Sequence, residues 1–349
     1  MKTGIAIIGG GLSGLALASH LERAGQDYHL FEARDRLGGR IKTFSHGGTA
    51  FDLGPSWFWP GQPRMAALAR DLGLEVFDQH FEGELAFEEA DGQVSHGRGM
   101  SSMQGSWRLK GGMSGLIHGL ALALPENRIH QGHAVRLVSR DQTVHFADGK
   151  TCDADQIVLA LPPRVAAGML PEGDALRPAM EAIPTWMGGH AKFVAVYEHP
   201  FWREAGLSGD AMSRHGPLVE IHDVSGPAPG DLAALFGFLG VPAGHRAGAE
   251  EAITEAALAQ LARLFGPEAA RPVKTAYQDW AQAPETASPL DHAPLSHHPA
   301  YGMPPALHGM WDGRLHLCVT EVAPEMGGFL EGALAAAEHT ARLLAKERV

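Results

Sequence analysis

Residues 5–40 read IAIIGGGLSGLALASHLERAGQDYHLFEARDRLGGR, and this stretch indicates the fold of the chain. Residues 5–8 form an apolar, β-branched run with the length of a buried strand. The alanine- and leucine-rich pattern at 12–23, ended by Gly25, predicts a helix. A second apolar run at 28–31 ends at Glu32. The stretch therefore predicts a β–α–β unit with an acidic residue at the end of its second strand.

Three glycines with GxGxxG spacing, Gly9, Gly11 and Gly14, lie between the first strand and the helix. Gly9 permits a tight turn, Gly11 lets a pyrophosphate approach the backbone, and Gly14 lets the helix pack against the strand. The helix begins at Leu12 and Ser13, where unpaired N–H groups and the positive end of the helix dipole favour phosphate. This pattern predicts a dinucleotide site.

Two features after the second strand refine that prediction. Glu32 can accept hydrogen bonds from ribose hydroxyls, and its charge disfavours a 2′-phosphate. Gly38 and Gly39 lie between arginines, and such a turn suits a second approach of backbone and cation to a phosphate. A solvated turn is the alternative interpretation of the two glycines.

Length and composition limit the classes of function. A chain of 349 residues exceeds one ordinary core, so two domains are expected. A net charge of −12 disfavours a nucleic-acid or anionic-membrane partner. Cys152 and Cys318 lie in separate apolar segments and predict neither a disulfide framework nor a metal cluster. The N-terminal apolar run is interpreted as a strand rather than a signal peptide, so a soluble, cytoplasmic protein is expected.

Three later features have both a functional and a structural interpretation. The aromatic, Gly- and Pro-containing loop at 51–60 could form the wall of a flat apolar ligand, or could be anchored by a buried tryptophan. Lys192 lies in the apolar strand pattern 191–197, where it either reaches solvent or serves a site. His292, His297 and His298 lack acidic or cysteine partners at metal-ligand spacing, so solvated loop histidines are expected rather than a metal site.

The opening unit, together with EARDRLGGR at 32–40 and DLGPSW at 52–57, resembles the flavin-containing amine oxidases. Matches to the same family recur later as Lys192 before Pro200-Phe201-Trp202, Thr320-Glu321, and GGFLEGA at 327–333. The resemblance implies an α/β fold with a Rossmann-like FAD-binding domain and a smaller α+β substrate domain on a mixed sheet. It implies that residues 1–76, 107–165 and 286–349 form the former, and residues 77–106 and 166–285 the latter.

The resemblance also implies roles for individual residues. Glu32 would hold the adenosine ribose beside Ala33 and Arg34, Gly39 and Arg40 would face the pyrophosphate, and Val135 would contact the adenine. Glu321 would bind the ribityl or phosphate region, and Leu330 would offer its N–H to a flavin carbonyl. Lys192 would be catalytic, by holding a water against the flavin. The remaining positions implied for the flavin nucleotide are Gly9, Gly11, Leu12, Ser13, Gly14, Gly54, Pro55, Ser56, Trp57, Ala160, Trp280, Gly328 and Phe329.

Three differences from the family pattern bear on function. Residues 281–290 contain no cysteine, so FAD is expected to be non-covalent. Trp57 and Phe329 are expected at the substrate, with Pro289 or Leu290 in place of a second aromatic ring beside Phe329. The chain also lacks room for the helical insertion of the family's substrate domain, so the pocket is expected to be small or open.

The implied function is FAD-dependent oxidation of an amine C–N bond. Hydride would pass to the flavin, the imine would hydrolyse, and dioxygen would accept the electrons. Two alternatives stay open: an FAD-dependent oxidase of reduced nicotinamides or a desaturase, and a flavin-binding protein without turnover. An NAD-dependent dehydrogenase is disfavoured, because the 327–333 segment would then have no role.

Overall fold

The computed structural model describes residues 1–186, 188–228, 230–293, 295 and 297–346. The helices of this part of the chain are α1 Leu12–Arg23, α2 Pro63–Asp71, α3 Ser114–Leu122, α4 Pro163–Ala167, α5 Arg177–Glu181, α6 Phe201–Glu204, α7 Ala243–Arg246, α8 Glu250–Phe265, α9 Met310–Gly313 and α10 Leu330–Lys346. Among the described residues, no helix is both long enough and apolar enough to cross a membrane.

The strands belong to two seven-stranded sheets and two small two-stranded sheets. In chain order they are β1 Lys2–Ile8, β2 Tyr28–Phe31, β3 Thr43–His46, β4 Thr49–Asp52, β5 Val76–Asp78, β6 Glu84–Glu88, β7 Val94–Gly97, β8 Trp107–Leu109, β9 Ile129–His130, β10 Val135–Val138, β11 Thr143–Phe146, β12 Thr151–Leu159, β13 Ala191–Tyr197, β14 Leu207–Ser213, β15 Leu218–Asp223, β16 Ala233–Leu239, β17 Lys274–Asp279 and β18 Leu315–Leu317.

The first sheet has a parallel centre in the order β18-β12-β1-β2-β9. Strand β12 pairs with the antiparallel strand β11 through its first residues and with β18 through its last. Because the central strands are parallel, β1, β2 and β12 end at the same edge of the sheet. That edge is where open α/β sheets bind ligands.

The second sheet is mixed, in the order β17-β13-β16-β15-β14-β6-β7, with β14 and β6 as its parallel pair. Helix α8 packs on one face, where Phe193 and Ala195 are buried. Val194 and Val196 face the other way and pack against Phe51 of β4, the strand that precedes residues 54–57. Because successive side chains of β13 point to opposite faces, the sheet packs against helix α8 on one side and against β4 on the other.

The predicted α/β fold class is confirmed, with a Rossmann-like part and a mixed-sheet part. The helix predicted at 12–23 and the strand predicted at 191–197 have the observed bounds. Residues 128–138 do not form one continuous strand. The chain instead forms β9 beside β2, turns at Gly132 with a φ of +71°, and forms β10 beside β11. Strand β14 was not predicted, because Gly209, with a φ of +85°, interrupts its pattern.

Close packing at Gly14 generates the first prediction. A Cβ atom there would lie 2.0 Å from the carbonyl oxygen of Gly9, so α1 would have to move away from the turn. We expect Gly14→Ala to lower the free energy of unfolding by about 1–3 kcal/mol, as overpacked sites do. Chemical denaturation measures this change. Gly61→Ala is the matched control, because no atom lies within 4 Å of a Cβ at Gly61. Equal stability of the two variants would contradict the prediction.

Candidate functional site

A cavity of about 400 Å³ runs along the edge where β1, β2 and β12 end, and it continues to the mixed sheet. It brings together residues that are far apart along the chain. The predicted site residues on its wall are Gly9, Gly11, Leu12, Ser13, Glu32, Ala33, Arg34, Gly39, Arg40, Gly54, Pro55, Ser56, Trp57, Val135, Ala160, Lys192, Gly328, Phe329 and Leu330. Gly14, Trp280 and Glu321 lie outside this lining.

The glycine turn exposes backbone to the cavity. Gly9 has a φ of +113°, and its N–H donates to the carbonyl of Phe31 at 2.8 Å, which ties the ends of β1 and β2 together. Gly11 is the N-cap of α1. A Cβ at Gly11 would find its nearest neighbour, the Cα of Gly39, at 3.9 Å. The two glycine backbones therefore approach each other closely on the cavity wall, at the N-terminus of a twelve-residue helix where N–H groups favour an anionic ligand.

Glu32 is held in place by the same turn. Its Oε2 accepts from the backbone N–H of Gly10 at 2.8 Å, and its Oε1 accepts from that of Arg34 at 3.0 Å. The carboxylate is buried and lies on the cavity wall, at the end of β2. These two bonds fix the acceptor at the position where a ribose is expected.

Arg40 reaches the cavity with a fixed counter-ion behind it. Its Nη1 and Nη2 donate to the two carboxylate oxygens of Glu321 at 2.5 and 3.2 Å. Glu321 is fully buried and does not line the cavity. Its carboxylate orients Arg40, and a contact of Glu321 with a ligand stays a prediction.

Lys192 lies at the mixed-sheet end of the cavity and is fully buried. Its Nζ donates to the carbonyl of Gly54 at 2.5 Å and to the Oγ of Ser56 at 2.9 Å. The ring centroid of Phe236 is 4.0 Å from Nζ. Burial lowers the pKa of Lys192 to about 7, and the nearby charge of Asp52 opposes that effect. The lysine side chain both binds the 52–56 loop and changes charge near neutral pH.

The two predicted tryptophans have different positions. Trp57 lines the cavity, and its Nε1 donates to Gln79 at 2.8 Å. Trp280 is buried outside the lining, and its Nε1 donates to the carbonyl of Leu53 at 3.0 Å. Trp280 thus supports the loop that carries Gly54, and its contact with the cofactor stays a prediction.

Phe329 has aromatic neighbours that the sequence did not predict. Its ring stacks on that of His298, with centroids 5.2 Å apart, and meets Trp59 edge to face at 6.3 Å. Leu290, proposed as its opposite wall, is half exposed and is not in the lining, nor is Pro289. His298, expected to be solvated, is exposed but takes part in this ring cluster. A ring contact of this kind leaves no signal in a loop sequence.

Several cavity residues were missed for lack of a local signal. Arg34 donates through Nη2 to Thr286 Oγ1 at 3.0 Å and pairs with Glu285 at 2.9 Å. Both partners also line the cavity, as do Phe238 and Trp186. The described residues contain no group of three or more side chains that could hold a metal ion.

The residues present fit FAD. The carboxylate of Glu32 suits ribose hydroxyls, and the glycine backbone at Gly11 with the α1 N-terminus suits phosphates. Beyond Arg40, the wall formed by Trp57 and the start of α10 at Leu330 is apolar and offers backbone N–H groups. The order ribose, phosphate, flat apolar ring along one cavity is that of a flavin dinucleotide.

Comparison with known proteins identifies the family. A family model described as flavin containing amine oxidoreductase matches residues 12–102 and 89–345. The chain belongs to this family. The predicted resemblance is thereby confirmed, and the protein is a flavin-dependent oxidoreductase.

One relative of this amine oxidoreductase matches over nearly its whole length. A Dictyostelium discoideum protein assigned as flavin-containing monoamine oxidase A is 23% identical over 446 aligned positions, which cover 95% of this chain and 94% of the relative. Because 446 exceeds the 349 residues here, the relative has segments that this chain lacks.

Solved structures show the same fold. Cyclohexylamine oxidase from Brevibacterium oxydans and a putrescine oxidase bound to putrescine each superpose with a TM-score of 0.82 at 22% identity. Each comparison covers 99% of both chains.

The titration of Lys192 generates the second prediction. The unfolded chain keeps the lysine proton up to its ordinary pKa of 10.5, whereas the folded protein releases it above about 7. Between these pH values the unfolded state binds more protons than the folded state. The free energy of unfolding of the wild type should therefore rise with pH, relative to that of Lys192→Met. The slope is at most about 1.4 kcal/mol per pH unit.

Chemical denaturation at a series of pH values from neutral to alkaline measures this difference. Lys110→Met is the matched control, because Lys110 is half exposed and pairs with Glu75 at the surface. The free energy of unfolding of Lys110→Met, plotted against pH, should run parallel to that of the wild type. A parallel curve for Lys192→Met as well would show that Lys192 is not desolvated in the folded protein.

Proposed function

We propose that this protein binds FAD non-covalently and oxidises a small, largely apolar amine, with dioxygen as the electron acceptor. One observation carries the proposal. A single cavity joins the glycine turn and Glu32 to the buried Lys192 and the ring of Phe329. The dinucleotide end and the candidate reaction end are thus continuous.

The flavin would supply the redox chemistry, accepting a hydride from the amine α-carbon and passing electrons to oxygen. The chain supplies position and surroundings. Arg40, oriented by Glu321, would face the pyrophosphate, and the first N–H groups of α10 would face the electron-rich edge of the ring. Lys192 holds the 54–56 backbone in place and presents an ammonium group, or above about pH 7 an amine, at the wall.

The side-chain chemistry around Phe329 supports a monoamine of apolar character. The acidic side chains in the described cavity lining are Glu32 and Glu285, and both lie at the Arg34 end. The Phe329 end of the described cavity lining therefore offers no carboxylate to a second ammonium group. Trp59 and Phe329 offer rings to an apolar substrate body.

Non-covalent attachment is supported by the position of the cysteines. Neither Cys152 nor Cys318 lines the cavity. Both are fully buried, and burial raises the pKa of the Cys318 thiol to about 12. The domain ranges implied by the family resemblance and a cytoplasmic location stay predictions alongside this proposal.

The third prediction concerns the cofactor. The purified protein should show a flavin absorption spectrum, and acid precipitation should leave the yellow colour in the supernatant as FAD, because no thiol is placed to bond it. Chromatography of the supernatant against FAD and FMN standards identifies the nucleotide. Colour retained in the pellet would contradict non-covalent binding, and FMN in the supernatant would contradict the dinucleotide assignment.

The fourth prediction concerns the reaction. Apolar monoamines should bleach the flavin anaerobically, and readmission of air should restore its colour with release of hydrogen peroxide. Diamines should react at least tenfold more slowly, since a second ammonium group would be buried without a partner at a cost of a few kcal/mol. Stopped-flow absorbance and a peroxide assay measure the two half-reactions. Reduction by NADH with all amines inert would instead select the oxidase of reduced nicotinamides.

A further inference from the structure

A second cavity, of about 380 Å³, lies where strand β5 and the segment after it meet the turn that follows β15. Side chains and backbone from both segments form its wall, and none of them lines the first cavity. The wall residues that matter are Gln79, His80, Arg108, Arg203, Ser225 and Gly226. Neither the family motifs nor the proposed reaction uses this cavity.

Arg108 is a buried cation without a carboxylate partner in the part of the chain that the structure describes. Its side chain is 6% exposed, and its Nη1 and Nη2 donate to the backbone carbonyls of Ser225 at 2.7 Å and Val224 at 2.8 Å. Burial lowers its pKa to about 10, so it stays charged at neutral pH. Charges buried to this extent are normally paired, and two carbonyl dipoles do not neutralise a full charge.

The charges of two buried carboxylates, Asp52 and Asp223, act on Arg108, but neither forms an ion pair with it. Asp52 accepts from Thr43 Oγ1 and from the backbone N–H of Met113. Asp223 accepts from Arg203 Nε at 2.7 Å, from Trp202 Nε1 at 2.8 Å and from the backbone N–H of Ser225 at 2.8 Å. It therefore neutralises Arg203. The charge of Arg203 acts against that of Arg108, which also lowers the pKa of Arg108. Two guanidinium groups thus line one wall, and the ion pair of Asp223 is with Arg203.

His80 adds a further unused polar atom to the same wall. Its Nε2 is buried and has no hydrogen-bond partner among the described residues. Burial and the charge of Arg203 lower its pKa. The two acidic side chains on the wall, Asp78 and Glu82, are exposed residues at its rim, where solvent screens them.

We propose that this cavity is a binding site for a small oxyanion, a carboxylate or phosphate group, held by the guanidinium groups of Arg108 and Arg203. An oxyanion would supply the missing counter-charge and accept paired N–H donors, which arginine forks provide for both groups. Gln79 connects the site to the first cavity. Its side chain accepts from Trp57 Nε1 and donates to the carbonyls of His80 and Asp223 at 2.9 and 2.7 Å.

The test is a titration of the FAD-loaded protein with inorganic phosphate and, separately, with acetate, at constant ionic strength maintained with chloride. Thermal unfolding follows binding, because a ligand that binds only the folded state raises the melting temperature. We expect a saturable rise at millimolar concentrations. The anion that saturates at the lower concentration identifies the group as phosphate-like or carboxylate-like.

Variants locate the site. Arg203→Gln should weaken anion affinity about tenfold to a hundredfold, which corresponds to the loss of one charge-assisted interaction. Arg203→Lys keeps a cation beside Asp223, so this variant should fold even if Arg203→Gln does not. It should bind the anion several-fold more weakly than the wild type, because lysine lacks the paired donors of a guanidinium group. Arg70→Gln is the control, because Arg70 is exposed and pairs only with its neighbour Asp71 among the described side chains. It should respond as the wild type does.

Two results would overturn the proposal: no saturable response to either anion, or the same response in the Arg203 variants as in the wild type. The measurement needs no amine turnover. A protein that binds no amine can still show this site, and an active amine oxidase can lack it. Failure here is therefore distinct from failure of the proposed function.

Discussion

A buried ammonium group joins the two halves of this molecule. Lys192 projects from the mixed sheet and donates to the backbone and side chain of the 54–56 loop, which leads from the parallel-sheet domain. Removing an ammonium group from water is costly unless several acceptors surround it. Here those acceptors come from a loop that would otherwise carry unpaired carbonyls into the interior. The position of the loop, and hence the wall of the cavity, depends on this contact.

The rest of the cavity is organised by similar indirect supports. Trp280 binds the carbonyl of Leu53, Glu321 orients Arg40, and the backbone N–H of Gly10 holds Glu32. In the last two pairs Arg40 and Glu32 line the cavity and their partners lie behind them, whereas the first pair supports the loop just before Gly54. Such pairs restrict the facing residue to one orientation before any ligand arrives, which reduces the entropy lost on binding.

The family motifs identified the residues that line the cavity better than the residues that hold them in position from behind. Glycine turns, an acid after a strand and a lysine in an apolar strand have local physical reasons, and the structure brings these residues to one cavity. Trp280 and Glu321 carry equally recognisable motifs, yet both lie behind the wall. A motif records that a residue type is needed near a site, but it does not distinguish contact with the ligand from contact with a neighbour.

The sequence by itself determined the β–α–β unit, the helix and strand bounds at 12–23 and 191–197, and the chemical type of the dinucleotide end. These follow from periodicity and from glycine geometry within a few residues. Only the tertiary structure decided which side chains meet across the chain: His298 on Phe329, Arg34 with Glu285, and Arg108 against the carbonyls of 224 and 225. Contacts of the last kind depend on how two sheets and their loops pack, and packing leaves no periodic pattern in any single segment.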